Sequence, residues 1–527
     1  MLTKTFLPLL SLAVVASAQV QSPIFDLGYA KYQGAVNTTT NVTSLIGIRY
    51  AAPPVGDLRF RAPTAPANVS GVQSATVEAN QCYQAFIGKA PGNFMSLKRA
   101  TISPSEDCLF LNVFYPSDAA GKPKEKLPTL FWIHGGGYDV GDISNFDGGD
   151  IIRQANQGVV VVTIQYRLGA FGFLPGTATK EDGDLNAGIL DQDFALRWVQ
   201  QHISQFGGDP SKVTIWGESA GGGSVLQHLI ANNGKTQPQL FRAAITSSSY
   251  LPPQYKYDDP AAEILFNTFA AQNNCTSAAD VMSCLRSVDA SAMATVNNNV
   301  NNGGFFGTFT WVPVVDGEYI VQSPIAALQK RKVNGQALLA IANAFEGTIF
   351  INTTSNVNAS QYALELFPHL TETQAKKVGS LYAGLGDNVF QVEAIMGEAI
   401  FICPSYYLAN AYSGHSWKGK FAVPPALHVD DTAYYWPTGN PPPYQNTQFI
   451  NAFAQSFTSF IVNLDPNQKI NANTLTPQWN QYDVDQTEML FNRTEAGVPV
   501  VRAFNTDPLL DARCRFWNSA RKSPVQW

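Results

Sequence analysis

The chain has 527 residues, ample to bury a large core; with 45% apolar, 12% aromatic and only 14% charged residues it must fold rather than remain disordered. Its 41 glycines and 32 prolines lack a triplet repeat, which excludes a collagen-like fibre. Lys plus Arg (34) against Asp plus Glu (40) leaves a net charge of −6, which argues against a nucleic-acid partner.

The N-terminus reads as a secretory signal. Lys4 supplies the positive charge, residues 6–15 are mostly apolar, and Ala16-Ser17-Ala18 gives the small-x-small pattern of a cleavage site. Cleavage is expected after Ala18, leaving one large domain from Gln19 to Trp527 that is secreted. No later run reaches 18 apolar residues, so no transmembrane segment is expected. Asn-x-Ser/Thr sequons begin at Asn37, Asn41, Asn68, Asn274, Asn352, Asn358 and Asn492, candidates for glycosylation in a secreted chain. Six cysteines in an oxidising compartment favour three disulfides, with the pairing left open. No Cys-x-x-Cys pair or histidine cluster has metal spacing, so no metal site is expected.

Strand-like and helix-like runs then alternate. Residues 129–133 form an apolar strand ending in His134-Gly135-Gly136-Gly137, and the β-branched run 159–164 is a strand buried on both faces. Residues 191–206 have helical spacing with Asp191 as a cap, 212–217 is a short strand, and 220–231 is a helix. Further strands are expected at 243–246, 337–342 and 421–427, and loops at the Asn/Gly-rich stretch 296–307 and the proline-rich stretch 436–445. This alternation predicts an α/β fold around a mostly parallel sheet.

The chemistry centres on Gly217-Glu218-Ser219-Ala220-Gly221, a Gly-x-Ser-x-Gly directly between a strand and a helix. Such a turn lifts the serine hydroxyl above the carboxyl end of the sheet. Serine is a poor nucleophile until a base takes its proton, and its attack on a carbonyl creates an oxyanion. The glycine loop after residue 133 supplies candidate donors, the N–H groups of Gly136 and Gly137, joined by that of Ala220. Neither near-miss motif is a nucleotide loop: Val140 occupies the last glycine position of a dinucleotide fingerprint, and Phe421 the Ser/Thr position of a phosphate loop spanning 414–420.

Of six histidines, His134 belongs to the glycine loop, His202 lies on a helix, His228 is carried away from Ser219 along its helix, and His369 and His415 lack a preceding strand. His428 follows a strand and comes after Ser219, so it is the best base. The acid must fall between them. Glu346, after the strand at 337–342 and before Gly347-Thr348, is favoured over its rival Asp316. Glu218, beside the nucleophile, is expected to point away from the hydroxyl and to be structural.

These residues bring a family into view. The chain resembles the type-B carboxylesterase/lipase family, which also contains the cholinesterases. The resemblance runs from about Gly47 to Cys514 and is carried by Gly47-Ile48-Arg49-Tyr50-Ala51, Glu106-Asp107-Cys108-Leu109 and Tyr166-Arg167-Leu168-Gly169-Ala170. Phe206-Gly207-Gly208-Asp209-Pro210 and the serine motif add to it, and Pro424-Pro425-Ala426-Leu427-His428 looks most like fungal secreted members. The resemblance implies an α/β-hydrolase fold with Ser219, His428 and Glu346 as the triad and Gly136, Gly137 and Ala220 as the oxyanion hole. It implies the disulfides Cys82–Cys108, Cys275–Cys284 and Cys403–Cys514. It also implies an acyl-enzyme mechanism that needs no cofactor. Two positions depart from the family pattern: Val429 stands where glycine is usual and Gln165 where asparagine is usual.

Substrate is less legible. The Cys82–Cys108 loop holds Tyr83, Phe86 and Phe94 but no tryptophan to bind a quaternary ammonium, which argues against choline esters. Its shortness favours small soluble esters over a lipase acting on acylglycerol droplets. Some relatives have lost the serine and act only as binding or adhesion proteins; the intact Ser-His-Glu set argues for an enzyme. Nothing in the sequence signals an oligomeric state.

Overall fold

Runs of Val, Ile, Leu and Ala with almost no charge can be stable as strands only when both faces are covered, and such runs build the centre of the fold. The computed structural model describes residues 22–88, 104–354, 356–412, 414–482 and 486–521. The signal segment 1–18 and Phe94 lie outside the described residues.

Eleven strands form the main sheet: β1 (Ala35–Asn37), β2 (Val42–Arg49), β3 (Phe110–Pro116), β4 (Leu127–Ile133), β5 (Val160–Ile164), β6 (Gly208–Glu218), β7 (Ala243–Ser247), β8 (Ala337–Asn343), β9 (Ser416–Phe421), β10 (Thr487–Arg493) and β11 (Pro499–Asn505). Their spatial order is β11-β10-β9-β8-β7-β6-β4-β5-β3-β2-β1. From β10 to β5 neighbours are parallel, and both flanks are antiparallel. Every residue of β5, β7 and β8 is buried. Helices flank both faces, including α1 (Ala187–His202), α2 (Ala220–Ile230), α3 (Ala290–Asn302), α4 (Thr447–Asn463) and α5 (Pro508–Ala520). One core packs α1 and α2 against the sheet; the other packs the Phe-rich face of α4, Phe449, Phe453, Phe457 and Phe460, against the opposite side. This is the α/β-hydrolase architecture, one sheet-centred unit. The three disulfides pair Cys82 with Cys108, Cys275 with Cys284, and Cys403 with Cys514.

Three sequence expectations are corrected. The Asn-rich stretch expected as a loop is mostly helix, since α3 runs to Asn302. Asp289 caps it, accepting from Ser291 and Ala292 N–H, and Met293, Asn297, Val300 and Asn301 form its buried face. Asparagine has poor intrinsic helix propensity, but here its amides are satisfied: Asn297 accepts from Ala170 N–H at 2.8 Å, and Asn301 accepts from Thr310 N–H at 2.7 Å. The strand expected at 421–427 lies upstream, as β9, in parallel register with β8 from Ser416 opposite Leu338 to Phe421 opposite Asn343. Pro424 and Pro425 have no N–H to give a ladder, so the chain after Phe421 leaves the sheet. The third correction concerns Asp191, which is not a cap: α1 starts at Ala187, and the buried Asp191 carboxylate takes both Nε and Nη2 of Arg167 at 2.8 and 2.7 Å. Among the described residues, 388–411 form one rod long and apolar enough to cross a membrane, and 83% of its most apolar 18-residue window (mean hydropathy 1.2) is buried inside the fold, as a core helix would be.

Candidate active site

The serine turn is built by close backbone approach. Ser219 has φ 54° and ψ −122°, outside the regions an ordinary residue adopts, and sits between the end of β6 and the start of α2. A Cβ on Gly217 would lie 2.3 Å from the Gly221 backbone, and one on Gly221 2.0 Å from the Ile133 carbonyl. Both glycines are therefore required for the chain to cross the end of β4 at this distance. Ser219 N–H donates to the Ser247 carbonyl at 3.0 Å, tying the strained turn to β7.

Three distant stretches meet at the hydroxyl. His428 Nε2 lies 2.8 Å from Ser219 Oγ, and its Nδ1 lies 2.5 Å from Glu346 Oε2. All three residues are buried, with 5%, 2% and 1% exposure, so bulk water barely screens their interactions. The imidazole is wedged between Phe401, 4.4 Å away between ring centres, and Phe350 at 5.1 Å. Phe401 comes from the wide helical turn Glu398–Ile402, a local widening that re-aims side chains. His428 itself sits in a tight turn closed by Leu427 N–H donating to Asp430 Oδ2 at 2.8 Å. Val429, the residue after it, adopts φ 71°, which explains why glycine is usual there and means that this chain holds the turn with a strained β-branched residue.

The second oxygen of Glu346 is also occupied. Oε1 accepts from Ser248 Oγ at 2.8 Å and from Asn343 N–H at 2.6 Å. The Asn343 amide reaches onward to Asp431 Oδ1 at 3.0 Å, and Asp431 Oδ2 accepts from Tyr435 OH at 2.5 Å. Burial pushes the Asp431 carboxyl up to about 6, opposed by its hydrogen bonds to Tyr435 and Asn343. Sequence reasoning did not find Ser248, Asn343 or Asp431. The signals were present: a Thr-Ser-Ser-Ser run at the carboxyl end of β7, and an acid three residues beyond the base.

Glu218 corrects its expectation. Its carboxylate does not turn away, since Oε1 stands 3.5 Å from His428 Nε2, and Oε2 would touch a Cβ built on Gly135 at 2.7 Å. Burial, reinforced by the nearby Asp431 and Glu346 carboxylates, raises its proton affinity far above that of a free glutamate. A carboxyl that resists ionisation therefore sits beside the imidazole.

The glycine loop lies against the serine. A Cβ on Gly135 would come 3.0 Å from Ser219 Cβ, and one on Gly137 would enter the Phe309 ring at 2.1 Å. Gly136 and Gly137 have φ of 105° and 66°. Among the described residues, no acceptor is paired with the N–H groups of Gly136, Gly137 or Ala220. His134 is a packing residue: it stacks on Tyr166 at 4.4 Å, and burial lowers it to about 4, keeping it neutral. His228 bonds Tyr319 and Gln192 away from the hydroxyl. Asp316 is engaged by Asn186, Glu318 N–H and Ile320 N–H and is not brought to His428. Among the described residues, no three His, Cys, Asp or Glu side chains gather as metal ligands would.

An apolar cavity of about 260 Å³ shares Phe350 and Phe401 with the His428 ring and Phe309 with Gly137. A serine whose proton has an acceptor, beside amides without partners and an apolar cavity, can attack a carbonyl and hold the resulting anion.

The model of the carboxylesterase family matches residues 21–517. The chain is 31% identical to Carboxylesterase patB of Aspergillus clavatus, over 97% of this chain and 98% of that one. It is 30% identical to the Secreted triacylglycerol lipase LIP1 of Gibberella zeae, over 87% of each. The crystal structure of Aspergillus niger EstA superposes with a TM-score of 0.83 at 30% identity, covering 95% of this chain and 99% of that one. The chain belongs to the carboxylesterase family of carboxylic ester hydrolases.

Proposed function

We propose that the protein is a secreted serine esterase that forms an acyl-enzyme on Ser219, with His428 as base and Glu346 as its orienting acid. The observation that carries this reading is the unbroken chain of hydrogen bonds from Ser219 Oγ through His428 to Glu346, with distances of 2.8 and 2.5 Å. His428 accepts the hydroxyl proton as Oγ attacks the ester carbonyl, and Glu346 stabilises the imidazolium. The N–H groups of Gly136, Gly137 and Ala220 receive the negative oxygen; losing one such donor typically costs ~10²–10³ in kcat. The intermediate collapses, His428 returns the proton to the leaving alcohol, and water repeats the attack to free the acid and restore Ser219. No step calls for a cofactor.

Secretion rests on the N-terminal signal pattern and on the printed names of relatives such as Secreted triacylglycerol lipase LIP1. Asn37, Asn41, Asn68, Asn274, Asn352 and Asn358 are exposed and suited to glycosylation, whereas Asn492 is half-buried in β10. Relatives are named both as carboxylesterases and as lipases, so acylglycerols form the second reading. A sharp rise in rate when a long-chain ester passes its micelle threshold would favour it. Ser219→Ala should lower ester turnover by a factor on the order of 10⁶ without unfolding the protein. Undiminished hydrolysis by the folded variant would remove Ser219 from the nucleophile role.

A further inference from the structure

Two cavities, the larger apolar and the smaller mixed, with Asn352 and Glu365 in its wall, meet at one aromatic ring. The larger, about 260 Å³, presents Phe309, Phe350 and Phe401 toward the glycine loop and His428. The smaller, about 100 Å³, is walled by Ile351, Val357, Tyr362, Val389 and Val392. Phe305 and Glu365 line both. Glu365 is exposed and accepts from Gln361 Nε2 at 3.0 Å, so it marks a rim rather than a barrier. Phe305 is half-buried, and its ring centre lies 5.7 Å from that of Tyr362. Its backbone is fixed as well: the carbonyl accepts from Thr308 N–H at 3.1 Å and from Thr308 Oγ1 at 2.8 Å, directly after α3. The turn is joined to the disulfide loop, since Gly88 N–H donates to the Thr308 carbonyl at 3.0 Å and Gly307 N–H to the Gly88 carbonyl at 3.1 Å. The backbone that carries the ring is thus fixed between the cavities, with the ring set against Tyr362.

We propose that Phe305 is a specificity-determining residue that ends the acyl cavity, restricting the enzyme to esters of medium-chain carboxylic acids, with the smaller cavity used only when that ring is removed. The proposal rests on ester hydrolysis at Ser219. The smaller cavity, about 100 Å³ against about 260 Å³, can extend the room for a chain by only a few methylenes beyond the end of the larger one. Each methylene buried in the transition state raises kcat/KM about fourfold, so activity climbs with acyl length until the cavity is full.

The test is the kcat/KM profile on p-nitrophenyl esters of increasing acyl length, each below its solubility limit, beside butyrate esters of increasing alcohol length. The wild type should peak at a medium acyl length. Phe305→Ala should move the peak a few carbons longer and, at about fourfold per added methylene, raise the twelve-to-eight-carbon activity ratio by several tens of fold. Val389→Phe added to that variant refills the small cavity and should return the peak toward the wild-type length. Phe305→Leu, a milder change, should move it by about one carbon. Turnover with no peak in the wild type, a peak unmoved in both Phe305 variants, or a cutoff that follows alcohol rather than acyl length overturns the partition. A folded wild type that turns over no ester overturns the reading at Ser219 and the partition together.

Discussion

Two residues beside the proposed triad show how far local rules bend. Val429 holds φ 71° immediately after His428, a conformation that costs a β-branched side chain on the order of 1–3 kcal/mol. Glycine relieves that strain but adds freedom to the unfolded chain, so Val429→Gly should stabilise the protein by about 1 kcal/mol or less with turnover retained. Urea unfolding checks this; a loss of stability would show that Val429 packing outweighs its strain. Asp431 gives a pH signature. Its folded-state carboxyl sits near 6 against an ordinary 3.8, so the native state holds this proton more tightly than the unfolded chain does. Its contribution to stability is therefore full below about pH 4 and is lost as pH rises through about 6. Relative to wild type, Asp431→Asn should gain up to about 3 kcal/mol between pH 4 and pH 7. A flat difference across that range would contradict the assignment. Burial also raises the proton affinity of Glu218, so Glu218→Gln, which keeps the shape of the protonated acid, should lower kcat by less than about tenfold. The motif made Ser219 legible; it could not tell where the Glu218 side chain points, because that is set by the packing of Gly135 against it.

Elements were readable where composition and period agreed. The β-branched run now β5 and the apolar run now β8 could be strands only, and the helix after Ser219 was marked by its spacing. They failed to be readable where tertiary contacts override propensity. The α3 helix exists because its asparagines bond to other segments: Asn301 donates to the Phe86 carbonyl at 2.8 Å while accepting from Thr310 N–H, and Asn298 accepts from Phe86 N–H at 2.9 Å. No local pattern reveals partners more than 200 residues away. The same amides join the disulfide loop to the segment carrying Phe309. Asn301→Ala removes the partner of the Phe86 carbonyl and of the Thr310 N–H, both only partly shielded from water, and should cost about 1–2 kcal/mol, read by thermal or urea unfolding. A change within ±0.5 kcal/mol would show that the amide bonds are not what holds the helix there.

At the scale of the molecule, the order of serine, acid and base along the chain pointed to the proposed site, with Glu346 singled out from Asp316 more by the family resemblance than by pattern, and an α/β sheet brings the carboxyl ends of β6, β8 and β9 to one edge. What the order could not supply was the supporting polar network from Glu346 through Asn343 to Asp431, or the two cavities; both arise from long-range packing. The C-terminal helix α5 is tied to the core by Cys403–Cys514 and by the buried pair Arg513–Glu398, whose partner opens the wide turn bearing Phe401. The central claim is that one serine, activated by His428, carries the acyl group. Its most direct test is to treat the folded protein with a fluorophosphonate and locate the adduct by peptide mass. The account predicts one equivalent of label on Ser219, and little or none in His428→Ala. A folded wild type that stays unlabelled, or that carries the label on another residue, would contradict it.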